Sequence, residues 1–317
     1  MTGAVPSPAE QAVVQQRLCE WFKRYGRDLP WRHTRDPYAV LVSEVMLQQT
    51  QVDRVIPRWR EWMERFPSLK MLAEASRGDV IRAWSGLGYN SRAVRLHELA
   101  RVTVDRLEGV LPSSVEGLLG LPGIGRYTAG AVASFAFERP VSLVETNVRR
   151  VLGRVFWGQP ETGVAETRAV QALADAVLPV IDSWTWNQAL MDLGATICTA
   201  STPACLICPL REVCRAAPLM STWPDERRRR LREAREQYAA AAPTREVPRR
   251  VLRGRAVAAL AKLPSHVAIA LDALGPHVRA DYGPDHREWL AATLRALAAD
   301  GLVYVEDGAE GLVARLP

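Results

Sequence analysis

Four of the chain's five cysteines, Cys198, Cys205, Cys208 and Cys214, fall in one short stretch with the spacing C-x6-C-x2-C-x5-C. Four thiolates in a single loop can enclose one metal centre. Structural zinc uses four cysteines too, usually as two close pairs, and a [4Fe–4S] cluster also takes four cysteine ligands. Only one close pair is present here, which tilts the spacing toward iron–sulfur and leaves zinc open. The fifth, Cys19, sits alone in an apolar helical stripe and reads as core packing. Two carboxylates are the other candidates for chemistry. Glu145 stands in LVETNVRR (143–150), just before a pair of arginines. There it either steadies the first turn of a helix, worth about 0.3–1 kcal/mol, or takes part in a reaction. Glu44 lies in SEVMLQQ beside Val42, Val45 and Met46. A half-buried site of that kind raises a carboxyl pKa.

The elements that must hold these groups are helices. Apolar residues recur at helical spacing over 9–24, 40–66, 68–82, 90–106 and 113–119. The stretch 40–66 divides into two helices, with Pro57 near the start of the second. LPWRHTRDPY (29–38) reads as a loop, and GLGY (86–89) as a turn. LPGIGRYTAGAVASFAF (121–137) is a glycine-bearing turn followed by an apolar helix. A helix over 146–156 has Thr146 as its expected N-cap, and further helices cover 166–179 and 183–198. Strand signals are nearly absent before residue 215, so this part is all-α with short connections. There is no internal repeat.

The rest differs in character. Residues 217–250 carry the arginine run DERRRRLREAREQYAAAAP, a charged helix or linker. Residues 251–317 then form their own unit. Helices are expected over VLRGRAVAALAKL, HVAIALDALG and DHREWLAATLRALAADG, the last with Gly301 as its C-cap. A β-hairpin, LVYVEDGAEGLVARLP, closes the chain. Three helices and a hairpin is the order of a winged helix. The expected organisation is a helical domain over 1–216, a linker over 217–250 and a small winged-helix-like α+β domain over 251–317.

Composition narrows the partners. The formal net charge is +6. Residues 215–255 hold 12 arginines against 5 acids, a net of +7, which leaves −1 for the rest. A localised basic excess suggests a polyanionic partner. The N-terminus lacks the pattern of a signal peptide. No apolar run reaches the roughly 18 residues needed to span a bilayer. The expected compartment is the cytosol, where cysteines are reduced or metal-bound.

The cysteine spacing follows LPGIGRYTAGA and LVETNVRR in an order that resembles the endonuclease III superfamily of helix-hairpin-helix DNA glycosylases. LPWR (29–32), SEVMLQQTQV (43–52), GLGY (86–89) and NQALMDLGATIC (187–198) sharpen this to the adenine DNA glycosylase (MutY) branch. The resemblance covers roughly residues 10–216. It implies a helix-hairpin-helix glycosylase fold with two helical lobes, double-stranded DNA in the cleft, and action as a monomer. It also moves the cysteine loop to a [4Fe–4S] cluster. The implied activity is removal of adenine mispaired with 8-oxoguanine or guanine.

The resemblance also implies roles. Glu44 matches the general acid that protonates the departing adenine and then activates water. Glu145 occupies a position where the family has an aspartate that stabilises the sugar cation. The charge is kept but the carboxylate sits one methylene further out, which puts rate and substrate choice in doubt. Two carboxylates around a flipped nucleotide suit glycosidic chemistry. Asn147 would orient the pair, and Tyr127 would line the pocket and bond to a catalytic carboxylate. Bifunctional relatives place a lysine near Tyr127, yet no lysine lies between Lys70 and Lys262. A Schiff base needs an amine, so a monofunctional enzyme without lyase activity is expected. Leu47, Gln48 and Gln49 resemble the wedge that fills the gap left by the flipped base, and Tyr89 would stack beside the opposing purine. Gly123, Gly125 and Arg126 would meet backbone phosphates at a helix start. Arg27, Trp31, Arg32 and Gln188 would wall the base pocket.

Two departures stand out. The branch commonly has a second tyrosine after Tyr89, and this chain has Asn90. The branch also often carries a C-terminal domain like a nucleotide pyrophosphatase that reads 8-oxoguanine. Residues 251–317 are too few and too helical for that. The expected third helix, 284–299, offers His286, Arg287 and Arg295 to DNA, unless the domain serves packing or a protein contact. A glycosylase for thymine, uracil or hypoxanthine is the alternative enzyme. A non-catalytic lesion-binding protein is the alternative outside enzymes.

Overall fold

The computed structural model describes residues 5–159, 167–221, 247–264, 266–308 and 311–317, with Arg229, Glu233 and Glu236. Local signals set most helix starts. Helix α1 (Pro8–Tyr25) opens with a capping box in which Ser7 and Glu10 satisfy each other's backbone N–H groups. Asp36 caps α2 (Pro37–Leu47), and α3 (Val52–Arg65) follows after a short turn. The stretch 68–82 is two helices, α4 (Leu69–Glu74) and α5 (Arg77–Ala83). The break falls where Ala75 turns extended and Ser76 takes a new cap bond from the Asp79 N–H at 3.1 Å. Then come α6 (Ser91–Leu107), α7 (Val115–Leu119), α8 (Arg126–Phe135), α9 (Thr146–Trp157), α10 (Thr167–Ala176) and α11 (Ser183–Thr196). The loop at 29–38 contains one 3-10 turn, Pro30–Arg32.

The C-terminal stretch has α12 (Arg249–Ala261), β1 (Ile269–Ala270), α13 (Leu271–Val278), α14 (Arg287–Ala299), β2 (Tyr304–Gly308) and β3 (Gly311–Arg315). HVAIALDALG is not one helix. Its Ile269 and Ala270 pair with Ala314 and Val313 of β3, so the backbone is extended there and helix begins only at Leu271. The antiparallel sheet runs β1-β3-β2. Helix α14 ends one residue earlier than expected. Its C-cap is Asp300, and Gly301 follows at φ +70°, where its left-handed backbone lets the Leu302 N–H reach the Leu297 carbonyl. Most of the arginine run at 217–250 lies outside the described residues. Arg229, Glu233 and Glu236 are helical and exposed.

Contacts divide the chain into two units, Met1–Arg35 with Arg126–Thr244, and Asp36–Gly125 with Arg245–Pro317. In the first, α1, α9, α10 and α11 surround a core of Leu18, Val148, Val151, Leu152, Trp186 and Leu190. In the second, the fully buried Trp62 packs edge-on against Trp84 and Phe66 and donates to the Tyr38 hydroxyl at 3.0 Å. The C-terminal elements belong to this second unit by packing. Ile81 of α5 and Val94 of α6 share one core with Leu252, Leu260, Leu294, Val303 and Leu316. Gly78 meets the chain end so closely that a Cβ there would lie 2.4 Å from the Pro317 carbonyl oxygen. Among the described residues no helix is long and apolar enough to cross a membrane.

Ile81 is thus a junction residue. Ile81→Ala is expected to cost about 2–5 kcal/mol, the range for truncating a buried aliphatic side chain. Val180→Ala, at a position 85% exposed, should change stability by less than about 0.5 kcal/mol. Urea unfolding of the two variants checks both values.

Candidate active site and cysteine loop

In the first unit the four cysteines line one cavity with Arg154, Ile197 and Met220. Burial pushes the Cys208 thiol up to about 12, and raises those of Cys205 and Cys214, with the neighbouring sulfurs adding to it. Four thiolates here therefore need a cation to hold them charged. Arg154 supplies part of that, donating from Nη1 to the Cys198 Sγ at 3.3 Å and the Thr199 carbonyl at 2.8 Å. Among the described residues no three ligand-type side chains converge as a single metal ion requires. Four cysteines around one cavity are a donor set that suits a four-iron cluster and zinc alike. Cys19 stays apart, half-buried against the α1–α9–α11 core, and burial lifts its thiol to about 11.

Helix α9 joins this loop to the candidate carboxylate. Its N-cap is Glu145, not Thr146 as expected, and Thr146 is the first helical residue. The reason is visible in the bonding. Glu145 is extended at φ −122°, and its Oε1 accepts from the Val148 N–H at 3.0 Å. That is the usual reach of a side-chain cap to the third helical N–H. So the cap role and the chemical role fall on the same residue, one oxygen fixed by the helix. Asn147 is tied elsewhere, its Oδ1 accepting from Arg150 Nη2 at 2.6 Å. Arg150 also donates to the Gly194 carbonyl at 2.7 Å and the Cys198 carbonyl at 2.8 Å. Gly194 lets α11 approach α9, since a Cβ there would lie 2.6 Å from the Asn147 Cβ.

The expected base-pocket residues also meet. Asp192, only 1% exposed on α11, accepts two bonds from Arg27 side-chain nitrogens at 2.9 and 2.6 Å and one from its backbone N–H at 2.8 Å. Arg32 adds bonds at 3.0 and 2.8 Å, and its Nε donates to Gln188 Oε1 at 2.7 Å. Burial alone would raise the Asp192 carboxyl, but the bonds and charge of Arg32, then of Arg27, outweigh it and hold the group below its ordinary value. Trp31 is buried beside them. Arg126 is exposed at the start of α8, and the Tyr127 hydroxyl lies 4.0 Å from Met191 Sδ.

In the second unit, Glu44 is 6% exposed within α2, whose residues from Tyr38 to Met46 are all buried. Helix α2 stops at Leu47. Gln48 and Gln49 are exposed, and Gln49 takes the left-handed φ of +56°. Tyr89, 51% exposed at the end of GLGY, has φ +47°. Beneath both turns lies Arg92. Its Nη1 donates to the carbonyls of Val45, Met46 and Gln48 at 2.7, 3.0 and 2.7 Å. Its Nη2 donates to Thr50 Oγ1 at 3.2 Å and to the carbonyls of Leu87 and Gly88 at 3.3 and 3.0 Å. The turn LPGIG completes this face. Gly123, at φ +76°, lines a small cleft with Gln48, Arg92 and Arg95. A Cβ on Gly125 would meet nothing within 4 Å, which leaves that backbone open to a ligand.

Comparison with known proteins decides the family. The model of the HhH-GPD superfamily of base excision DNA repair proteins matches residues 42–175. The adenine DNA glycosylase of Mycolicibacterium smegmatis is 48% identical over 200 residues, covering 63% of this chain and 68% of that protein. The chain belongs to the adenine DNA glycosylase family. A solved thermostable thymine-DNA glycosylase is similar at TM-score 0.63 and 30% identity, covering 67% of this chain and 98% of that one. An endonuclease III trapped on DNA shares the fold at TM-score 0.57 and 23% identity, covering 66% and 97%.

Sequence reading missed Asp192, Arg92, Arg150 and Arg154. Asp192 carried the signal that flagged Glu44, a lone carboxylate in an apolar helix. The three arginines looked like ordinary helix-surface charges. Asp192→Asn should cost about 3–5 kcal/mol, because it strands buried guanidinium charge. The pH dependence has a definite sign. The depressed carboxyl contributes stability that is full above its unfolded value of 3.8 and lost as pH falls through the lower folded value. The wild type should lose that increment on acidification below about pH 4, and Asp192→Asn should lack it, as urea midpoints taken across pH would show.

Proposed function

We propose that this protein is a monofunctional adenine DNA glycosylase of base-excision repair, acting on adenine opposite 8-oxoguanine or guanine in duplex DNA. The observation that carries the activity is the 48% identity to an adenine DNA glycosylase over most of the helical part. The buried Glu44 supports the acid role. It is 6% exposed in a helix whose neighbouring residues are all buried, and a carboxyl placed so that it meets the base can act as general acid and then as base. Glu44 protonates the departing adenine, and the glycosidic bond breaks with its electron pair going to the base. Glu145, one oxygen held by the Val148 N–H, offers the other to the sugar cation. Water then adds at the anomeric carbon and gives its proton to the Glu44 carboxylate. With no lysine between residues 70 and 262, the product is an abasic site on an unbroken strand.

The four cysteines are proposed to hold a [4Fe–4S] cluster, which would cross-link the loop and could exchange an electron. Gln48, Gln49, Leu47 and Tyr89 are proposed to fill and flank the gap in the duplex. Gly123, Gly125 and Arg126 are proposed to meet phosphates. Arg27, Trp31, Arg32 and Gln188 back the base pocket through the Asp192 network, and the protein works as a cytosolic monomer. Residues 251–317 are read as a winged helix, supported by the order of helices and the β1-β3-β2 sheet. A DNA-reading role for α14 finds less support. Arg287 is paired with Asp272 at 2.7 Å, and His286 Nδ1 accepts from the Gly283 N–H. Residues 251–317 hold seven Lys or Arg against eight Asp or Glu. Packing on α5 and α6 is the role proposed for this domain.

Duplexes with adenine opposite 8-oxoguanine or guanine, thymine opposite guanine, and hypoxanthine test the reading, with alkali revealing abasic sites. Excision of adenine is expected. Glu44→Gln should lower the single-turnover rate by about 10²–10⁴-fold. Glu145→Gln should abolish excision, whereas Glu145→Asp keeps the charge and the cap and should remain active. Excision of thymine alone would move the protein toward the thymine glycosylase it is similar to. Borohydride added during turnover should trap no protein–DNA adduct.

A further inference from the structure

Two turns in the second unit place exposed side chains where the backbone is unfavourable. Gln49 and Tyr89 both have positive φ without being glycine, a conformation that costs about 1–3 kcal/mol for each such residue. A strained turn persists only where its surroundings over-determine it. What over-determines both is one buried side chain. Arg92 is 8% exposed, and its guanidinium closes the C-terminal carbonyls of α2 with one fork and the carbonyls before Tyr89 with the other. The cation also lies 5.2 Å from the Trp84 ring and 5.7 Å from the Tyr89 ring. Among the described residues, its donors meet backbone carbonyls and Thr50, and no carboxylate. Burial lowers the group to about 10, so it remains charged at neutral pH. A helix end needing only a cap would use one or two of these bonds. The plane and reach of a guanidinium are needed to hold two separate turns at a fixed separation.

We infer that Arg92 is the positioning residue that locks the Gln48–Gln49 turn and Tyr89 into one rigid reading edge, setting how the protein opens the duplex at the mispair. This rests on the glycosylase reading above. It assigns Arg92 no contact with DNA or with the reacting atoms. Its effect is exerted through Gln49 and Tyr89, and a lysine cannot replace it, because a single ammonium cannot bridge both sets of carbonyls.

The test places 2-aminopurine at the target adenine of a duplex, where emission rises as the base leaves the stack. It combines this with single-turnover excision on the adenine duplex and binding to undamaged duplex. Arg92→Lys is expected to keep its cluster absorbance and undamaged-duplex affinity within about twofold of wild type. Both its emission rise and its excision rate should fall at least tenfold. The double-mutant cycle is decisive. In a Gln49→Ala, Tyr89→Ala background the Arg92→Lys loss should shrink to less than twofold, because the edge it positions is gone. A merely structural role would leave the loss unchanged in that background, and that result, or full emission in Arg92→Lys, overturns the inference. Should Arg92→Lys fail to fold, the same cycle is run with Thr50→Val, which removes the clamp's side-chain acceptor, and additivity again overturns it. Wild-type protein that neither excises adenine nor raises emission would instead overturn the glycosylase reading.

Discussion

Guanidinium groups bonded to backbone carbonyls, two of them buried, are the constraint on which the rest of this structure depends. Several segments beside the candidate chemistry are turns and loops, and these leave part of their carbonyls unpaired within the segment. A buried carbonyl without a partner costs about as much as a lost hydrogen bond. Arg92 pairs those of the α2 end and the GLGY turn. Arg150 and Arg154 pair those at the start of the cysteine loop. Arginine suits the task because its five donors lie in one rigid plane. The scarcity of lysine in this chain, three against thirty-eight arginines, is consistent with that demand.

Helix α9 shows how the constraint couples regions. Its first turn is capped by Glu145, its second turn carries Arg150, and its third carries Arg154. The cysteine loop is therefore bonded to the same rigid rod that begins at the candidate carboxylate. Displacing the loop would move the carbonyls of Cys198 and Thr199 away from these two arginines. Glu145 would then keep only its local bonds, from the Val148 N–H to its side chain and from the Arg149 N–H to its carbonyl. A cluster with no part in glycosidic chemistry would still matter to it in this way.

The C-terminal elements bring a second economy. They do not form a separate core. Ile81 and Val94 of the helical unit complete theirs, and Val94 lies two residues beyond Arg92 on α6. The hairpin carries Glu306 and Asp307, and α14 has its first arginine engaged by Asp272. Burying apolar surface on α5 and α6 is what this small domain visibly does.

The helices, the turns and the cysteine loop were legible in the sequence, because apolar periodicity, capping residues and cysteine spacing are local signals. Two local errors have local causes. Residue type favours Thr146 as the cap, but the glutamate one residue earlier reaches the same helix start. Ile269 and Ala270 read as helix because a two-residue strand has no period to detect. The membership of the site was different in kind. Glu44 and Glu145 were marked by the residues beside them, whereas Asp192 gained its meaning from Arg27 and Arg32, some 160 positions away. Arg92 gained its meaning from two turns that only folding brings to one guanidinium. What the sequence by itself determined is most of the helices and turns and the residues along them. Which charges are buried together was decided by tertiary structure alone, since the partner that offsets a buried charge is a neighbour in space and leaves no trace along the chain.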